Sequence, residues 1–315
     1  MLKHLKDSIK KYPLAWFYVI SVLIEVAIIP VFFFTGVADT LGQAIEKSGL
    51  PFKTDLVTAF RVVLAAPEAF PGIFLAITQV AAVDIAVFIV AKIAYGQQGI
   101  IDLKTRFRFW KKDIPWQRAL TIWGICIVLF SCINLIAAGL NKLMFSNFFI
   151  WDVNLSPVDF LISLAITLFL DAGGLFEENG WRGFALPRLL QHFSPLKATV
   201  ILGFLWGLWH FPVKFDLFNG FGFTGGLLYL CVFTLRLTFV SILMTHFWNR
   251  LGQTTIIAIA MHGLINDSIG LGGRMESENF ISQLFTEVNL LIPTAIAAIV
   301  LILRTKGKLG ARANN

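Results

Sequence analysis

Eight long apolar windows, separated by more polar connections, constrain the fold of this chain more than any other feature. They lie near residues 14–36, 73–95, 117–139, 158–187, 197–217, 223–246, 253–271 and 287–304. A helix needs about 20 consecutive apolar residues to cross the hydrocarbon core of a bilayer. Hydrophobic residues make up 57% of the chain and charged residues only 14%, whereas soluble domains carry roughly 25% charged residues. The sequence therefore predicts an all-α, polytopic membrane protein of about eight transmembrane helices, forming a single membrane domain over residues 1–315.

Basic side chains are concentrated in alternate connections. The N-terminal segment, the second connection and the C-terminal tail are basic, whereas the third and fifth connections carry little net charge. The second connection holds Lys104, Arg106, Arg108, Lys111, Lys112 and Arg118. Because basic connections stay in the cytoplasm, this pattern predicts a multi-pass protein of a bacterial plasma membrane, with both termini cytoplasmic. Topology alone accounts for the basic second connection, so no acidic lipid or acidic substrate is needed to explain it, and no nucleic-acid partner is expected.

The first outer connection differs from the others because it is long and partly apolar. It contains TDLVTAFRVVLAAPEAF, in which apolar residues recur at near-helical spacing. We expect this segment to form an amphipathic helix along the outer membrane interface.

Ionisable and amide side chains inside the predicted spans are the candidates for function. They are Glu25, Asp84, Asp171, Glu177, Glu178, Arg182, His210, Arg236, His262, Asn266 and Asp267. Each would cost several kcal/mol facing lipid, so the helices should enclose an intramembrane polar cavity. Glu25, Asp84 and Arg236 stand alone in their spans, and we expect each to pair with another helix. Asp171 is expected to cap or pack at a helix distortion, because two glycines follow it closely.

Glu177 and Glu178 form the strongest signal in the segment FEENGWRGFALPRL. Neighbours on a helix point about 100° apart, so the two carboxylates can face different surroundings. Arg182 follows Glu178 by one turn, the spacing of an ion pair. That pair would leave Glu177 as an unpaired, desolvated carboxylate and hence a candidate general base. A purely structural network is the alternative interpretation of the same three residues.

Two histidines in later spans could complete a site. His210 follows Trp206 by one turn in GFLWGLWHFP, although a single intramembrane histidine is more often a core residue with a satisfied hydrogen bond. His262 and Asn266 are four residues apart in MHGLINDSIG, hence on one helix face. An imidazole and an amide pointing the same way are plausible donors to a developing oxyanion. Asp267 points elsewhere and is expected to be structural.

The depth of these groups in the membrane tests whether they can meet. His210 lies about 13 residues into the fifth helix and His262 about 9 into the seventh, so both are near mid-membrane. Glu177 reaches that depth only if the fourth helix continues to around Pro187. The sequence therefore predicts a long fourth helix that keeps GWRGFAL within the membrane.

These motifs together resemble the CAAX protease and bacteriocin-processing (CPBP, or ABI) family of intramembrane proteases, which includes the type II CAAX prenyl endopeptidases. The family pattern EExxxR matches Glu177, Glu178 and Arg182, and the pattern HxxxN matches His262 and Asn266. The pattern FxxxH is approached by Trp206 to His210, with tryptophan in place of phenylalanine, a departure at an aromatic packing position. The similar region covers about residues 157–272.

The resemblance implies an endopeptidase that hydrolyses a peptide bond near the cytoplasmic side of the membrane. Glu177, helped by His210, would activate water, and His262 with Asn266 would stabilise the oxyanion. Glu178 and Arg182 would support the first group. The implied partners are the lipid bilayer and a peptide or protein substrate, which is prenylated in CAAX processing.

Metal dependence is a separate question, because the family is commonly labelled as metalloproteases. Two histidines and a glutamate could bind zinc, but HExxH is absent and zinc sites normally need three firm ligands. We expect metal-free, glutamate-dependent hydrolysis and no cofactor, with zinc as the alternative.

Two other functions fit buried carboxylates and histidines. A proton-coupled transporter uses such groups as a relay, although the sequence shows no internal repeat of the kind common in transporters. A non-catalytic relative could bind a partner, for instance in bacteriocin immunity, but no motif residue is missing here.

Overall fold

The protein is described by a computed structural model that covers residues 2–50, 53–151, 156–266, 270–275 and 279–311. Helices dominate the chain, and one two-residue strand pair, β1 (Phe149–Ile150) with β2 (Arg274–Met275), joins two connections on one side. The helices are α1 (Leu2–Lys11), α2 (Pro13–Phe34), α3 (Val37–Ser48), α4 (Leu56–Ala65), α5 (Phe70–Val80), α6 (Ala82–Arg106), α7 (Trp116–Met144), α8 (Pro157–Phe169), α9 (Ala172–Glu178), α10 (Leu186–Leu189), α11 (Pro195–Trp209), α12 (Asp216–Arg250), α13 (Thr255–Ile265) and α14 (Phe280–Thr305). A short 3-10 helix (Pro67–Ala69) precedes α5, and a π-helix (Asn179–Ala185) joins α9 to α10.

The all-α membrane architecture predicted from the apolar windows is confirmed. Within the described residues, α2, α6, α7, α12 and α14 contain stretches long and apolar enough to cross a bilayer. The other three predicted spans correspond to shorter apolar helices, α8, α11 and α13. α13 packs against α7, α8 and α9, so protein surrounds this short helix, whereas α8 has an exposed face that includes Val158 and Leu161.

The predicted fourth span is two helices rather than one. α8 ends at Phe169, and α9 begins at Ala172 after a break at Leu170 and Asp171. The broken backbone is satisfied by the first outer connection: Leu56 N–H donates to the Leu170 carbonyl at 3.0 Å, and Ala172 N–H donates to the Thr54 carbonyl at 3.0 Å. Beyond the break, the helical path continues past Pro187 to Leu189, as the depth argument predicts.

The first outer connection folds over this break as a small separate unit. Its own core consists of Leu41, Ala44, Val62, Ala66 and Ala69. The predicted amphipathic helix is α4, in which Val62 is buried, whereas Phe60 is 62% and Leu64 66% exposed. We call residues 37–48 and 53–69, that is α3, α4 and the turns beside them, the cap segment.

The three isolated charged residues each have a partner on another element, as predicted. Gln79 Nε2 donates to Glu25 at 3.2 Å, and Asn179 Nδ2 donates to Asp84 at 2.7 Å. Arg236 on α12 pairs with Glu287 on α14 at 2.5 Å. These bonds link helices in the bundle core and offset the cost of burying the charges.

Candidate active site

A cavity of about 290 Å³ lies between the cap segment and the broken fourth span. Most of its lining is apolar, with side chains from α3, α4 and α5, although Lys53, Thr54, Asp55 and Thr58 of the cap segment also line it. The polar end is formed by Gly173, Glu177, His210, His262 and Asn266. The structure thus brings the four predicted catalytic side chains, which come from three separate helical segments, to one cavity.

Glu177 occupies the end of α9, where the backbone passes into the π-helix. Its Oε2 accepts two indole hydrogen bonds, from Trp181 Nε1 at 3.1 Å and from Trp206 Nε1 at 3.0 Å. The residue is 3% exposed, and among the described residues it makes no ion pair. The carboxylate is therefore held in position by neutral donors while it lines the cavity, as a general base requires.

The two tryptophans are functional candidates that the sequence analysis did not identify. Trp181 is four residues after Glu177 and could have been found from helical spacing. Trp206 was interpreted only as an aromatic packing residue, yet its indole N–H supplies a hydrogen bond that phenylalanine cannot make. The guanidinium carbon of Arg182 also lies 4.3 Å from the Trp206 ring centre, a cation–π distance.

Glu178 is buried at the centre of an ion-pair network. Its Oε1 accepts from Arg182 Nη1 at 2.7 Å, the predicted pair, and both side chains are fully buried. The same oxygen also contacts His262 Nδ1 at 2.8 Å. Arg182 Nη2 donates further to Ser241 Oγ on α12 at 3.2 Å. Glu178 therefore fixes His262 as well as Arg182, a link that the sequence did not reveal.

His210 ends α11 and faces the cavity from the opposite wall. Its Nδ1 is 2.8 Å from the Trp206 carbonyl oxygen, so Nδ1–H donates to that oxygen. A neutral imidazole that donates from Nδ1 keeps its lone pair on Nε2. The ring packs edge-on against Trp209 and Phe233, each with a centroid separation of 5.1 Å. Packing and the backbone bond together fix the ring with Nε2 as the proton acceptor.

His262 and Asn266 lie on one face at the end of α13, as their spacing predicts. A Cβ built on Gly173 would be 2.5 Å from His262 Nε2 and 3.1 Å from Asn266 Nδ2, so both groups lie against the same glycine. Asn266 Nδ2 also donates to the Asp171 carboxylate, at 3.1 and 3.2 Å. Asp267 is outside the described residues.

Asp171 connects the cap segment to this face of the site. Its Oδ1 accepts from Gly174 N–H at 2.8 Å, the helix cap predicted at this position. Its Oδ2 accepts from Thr54 Oγ1 of the cap segment at 2.7 Å. With its bonds to Asn266, this buried carboxylate couples α9, α13 and the cap segment, which is more than the capping role predicted for it.

The donor set does not fit a zinc site. Within the described part of the chain, no three histidine, cysteine, aspartate or glutamate side chains are arranged to hold a metal ion. Zinc needs three firm protein ligands even in open catalytic sites.

The cavity extends from Glu177 towards the cap segment. Its wall includes Val80 at the end of α5, and α6 (Ala82–Arg106), which is kinked at Gly96, leads from there to the second connection. Towards the basic end, Trp181 and Phe184 are each only 1% exposed and fill the space beyond Glu177. Cleavage near the cytoplasmic side of the membrane stays a prediction.

Comparison with known proteins agrees with the motifs. The family described as type II CAAX prenyl endopeptidase Rce1-like matches residues 157–267. A curated relative, CAAX prenyl protease 2 of Methanococcus maripaludis, is 33% identical over 149 residues, which are 44% of this chain and 50% of the relative. The chain thus matches about half the length of this relative. The matched region contains both glutamates, both histidines and Asn266, the side chains that meet at the cavity. Residues 157–267 are accordingly similar to the Rce1-like type II CAAX prenyl endopeptidases.

Proposed function

We propose that this protein is an intramembrane endopeptidase that hydrolyses a peptide bond without a metal ion. The observation that carries the proposal is the convergence of Glu177, His210, His262 and Asn266 on one cavity. A family member with a non-catalytic role would not need to keep a carboxylate, two imidazoles and an amide together in a costly buried site.

The first chemical step is the addition of water to the scissile carbonyl. Glu177 takes one proton from the water, with Nε2 of His210 as a second acceptor at the same cavity, and the hydroxide oxygen bonds to the carbonyl carbon. The carbonyl π electrons move to oxygen, and this oxyanion accepts hydrogen bonds from Asn266 Nδ2 and from Nε2–H of the doubly protonated His262 ring. The tetrahedral intermediate then collapses. The C–N bond breaks, and the proton held by Glu177 passes to the leaving nitrogen.

Glu178, Arg182 and Asp171 act as positioning residues in this scheme. Glu178 and Arg182 hold the His262 ring through Nδ1, and Asp171 holds the Asn266 amide. Fixed donors need no reorganisation as charge develops, which is where such sites gain most of their rate.

The cavity walls indicate the substrate class. The part away from Glu177 is lined by aliphatic side chains, including Leu41, Ile45, Val62 and Ile77. Such a surface favours a hydrophobic peptide segment or the prenyl chain of a lipid-modified peptide over a polar peptide. We propose that the apolar part binds the hydrophobic portion while the scissile bond reaches the polar end.

Activity is tested with purified full-length protein in detergent and two quenched fluorescent peptides, one farnesylated and one hydrophobic but unmodified. Hydrolysis of at least one is expected, and Glu177→Gln should lower kcat by on the order of 10³-fold, at the upper part of the range for general-base catalysis. Glu68→Gln is the matched control, because Glu68 is exposed, pairs with Lys47 and does not line the cavity. Hydrolysis that survives Glu177→Gln would refute the assignment of the base. Glu177-dependent ion flux without any hydrolysis would instead support a transporter.

The side from which substrate arrives is a separate proposal. We propose access through the cap segment, on the side away from the basic connections, in place of the cytoplasmic access expected from the resemblance. The test uses a variant in which Cys126, Cys132 and Cys231 are changed to alanine and Thr58, which lines the cavity, is changed to cysteine. This single cysteine should react with a membrane-impermeant maleimide in intact cells. Reaction only in inside-out vesicles would restore the cytoplasmic side.

A further inference from the structure

A second, polar cavity of about 600 Å³ lies at the basic end of the bundle and shares no lining residue with the cavity at Glu177. It is bounded by the second connection, the turn between α12 and α13, the start of α11 and the chain near residue 311. Its lining residues are Thr105, Arg106, Arg108, Lys111, Leu190, Phe193, Pro195, Asn249, Gly252, Gln253 and Ala311. No carboxylate is among the described residues that line it, whereas three of them are basic.

The basic side chains are directed into this cavity by specific contacts. Arg106 Nη1 donates to Gln253 Oε1 at 3.1 Å, and Arg108 Nη2 donates to the Gly252 carbonyl at 3.2 Å. The backbone N–H of Lys111 donates to the Leu251 carbonyl at 3.0 Å. These bonds dock the second connection on the α12–α13 turn, so the cavity is formed by the fold itself.

Most donors of the two guanidinium groups remain available. Each group carries five N–H donors, and each of the two arginines makes one hydrogen bond among the described residues. Arg108 Nε is buried with no hydrogen-bond partner in the described part of the chain. Lys111 is opposed only weakly, by Asp113 at 3.5 Å with both side chains about half exposed. A buried donor without an acceptor is costly, and a bound anion would satisfy it.

The start of α11 adds a further positive contribution. Pro195 is the first residue of this 15-residue helix and lines the cavity, and Ser194 makes no side-chain capping bond. The first N–H groups of a helix and its dipole favour an anion at this position.

Exposed aromatic side chains lie in and beside the same connection. Phe107 is 54%, Phe109 49% and Trp116 59% exposed. Tryptophan is concentrated at the level of the lipid head groups, so Trp116 favours an interfacial position for this end of the bundle. The positive-inside pattern assigns this end to the cytoplasmic leaflet, where anionic lipids occur.

We propose that this cavity binds the phosphate of an anionic phospholipid head group in the cytoplasmic leaflet. The sequence analysis attributed the basic second connection to topology alone. Topology requires positive charge in the connection, but it does not require Arg106, Arg108 and Lys111 to converge on one cavity. The guanidinium pair binds the phosphate oxygens in the paired geometry that arginine favours, and Phe193 and Leu190 contact the apolar part of the lipid.

The test measures lipid binding to the full-length protein in detergent by native mass spectrometry. Short-chain phosphatidylglycerol, phosphatidylcholine and inorganic phosphate are titrated separately. Phosphatidylglycerol should bind preferentially. Arg106→Gln/Arg108→Gln should weaken it by roughly 25-fold, at about fivefold for each basic residue at the membrane surface. Lys112→Gln/Arg118→Gln is the matched control, because it removes the same charge from exposed residues of the same connection that do not line the cavity.

Two results would overturn the proposal. Equal loss of affinity in both double variants would mean that only the overall charge of the connection matters. Inorganic phosphate that binds as tightly as phosphatidylglycerol would mean a site for free phosphate. If the glutamine variant does not fold, Arg108→Lys keeps the charge but removes the planar donor pair, and it should still weaken phosphatidylglycerol binding relative to Lys112→Gln.

Discussion

Replacing Gly173 with alanine tests whether Nε2 of His262 lies at the reacting centre. The new Cβ would be 2.5 Å from that nitrogen and 3.1 Å from Asn266 Nδ2. Non-bonded heavy atoms settle at roughly 3.5 Å or more, so the imidazole must retreat by about 1 Å. It cannot do so freely, because Glu178 holds Nδ1 at 2.8 Å.

The expected effect is a large loss of rate with little loss of stability. A misplacement of about 1 Å in a positioned group can lower the rate on the order of 100-fold, so kcat should fall by about that factor. Alanine in place of glycine favours a helix by about 1 kcal/mol. This gain offsets part of the local strain, and Tm in detergent should change by only a few degrees. Initial rates on the fluorescent peptide and thermal unfolding of the same sample measure the two effects.

The control is Gly139→Ala near the C-terminal end of α7, where a new Cβ meets no atom within 4 Å. This variant should keep the wild-type rate. Wild-type kcat in a folded Gly173→Ala protein would refute the reasoning, because it would show that the position of His262 does not limit the reaction. An equal loss of rate in both variants would point to a general effect of helix rigidity.

Three further results are expected. Trp206→Phe keeps an aromatic ring but removes one of the two indole hydrogen bonds to Glu177. Because a hydrogen bond to a charged group is worth this much, kcat/KM should fall by at least roughly 10-fold, and an unchanged rate would show that the remaining indole suffices. Arg236→Met leaves Glu287 buried without its cation and should lower the free energy of unfolding by about 3–5 kcal/mol. The double variant Arg236→Met/Glu287→Leu should regain most of the lost Tm, and an Arg236→Met protein as stable as wild type would contradict the expected loss. A zinc chelator such as 1,10-phenanthroline should leave peptide hydrolysis unchanged, and inhibition reversed by added zinc would show that the metal-free proposal is wrong.

The features that the sequence predicted correctly are those with local causes. The apolar windows follow from the partition of side chains between lipid and water. The Glu178–Arg182 pair and the shared face of His262 and Asn266 follow from the 3.6-residue period of a helix, which brings residues four apart together.

The contacts that the sequence did not predict join distant parts of the chain. His262 meets Glu178 across 84 positions, and Thr54 meets Asp171 across 117. Such contacts depend on how helices pack and on where a helix breaks, and neither is encoded in a short motif. The break at Asp171 is a clear case, because the strand-like pairing that satisfies its backbone comes from the first outer connection.

The π-helix over Asn179–Ala185 also fixes the rotational phase between the two ends of one continuous helical path. A π-helix is equivalent to an α-helix that has gained one residue, and one residue corresponds to a turn of about 100°. Glu177 can therefore face the cavity while Leu186 and Leu189 on the same path stay buried in the hydrophobic core. Loss of a single residue, such as the buried Gly183, would restore a regular helix and turn one end against the other. A one-residue deletion in this segment would thus leave a well-formed helix and every motif residue in the sequence, yet no working arrangement of the two glutamates.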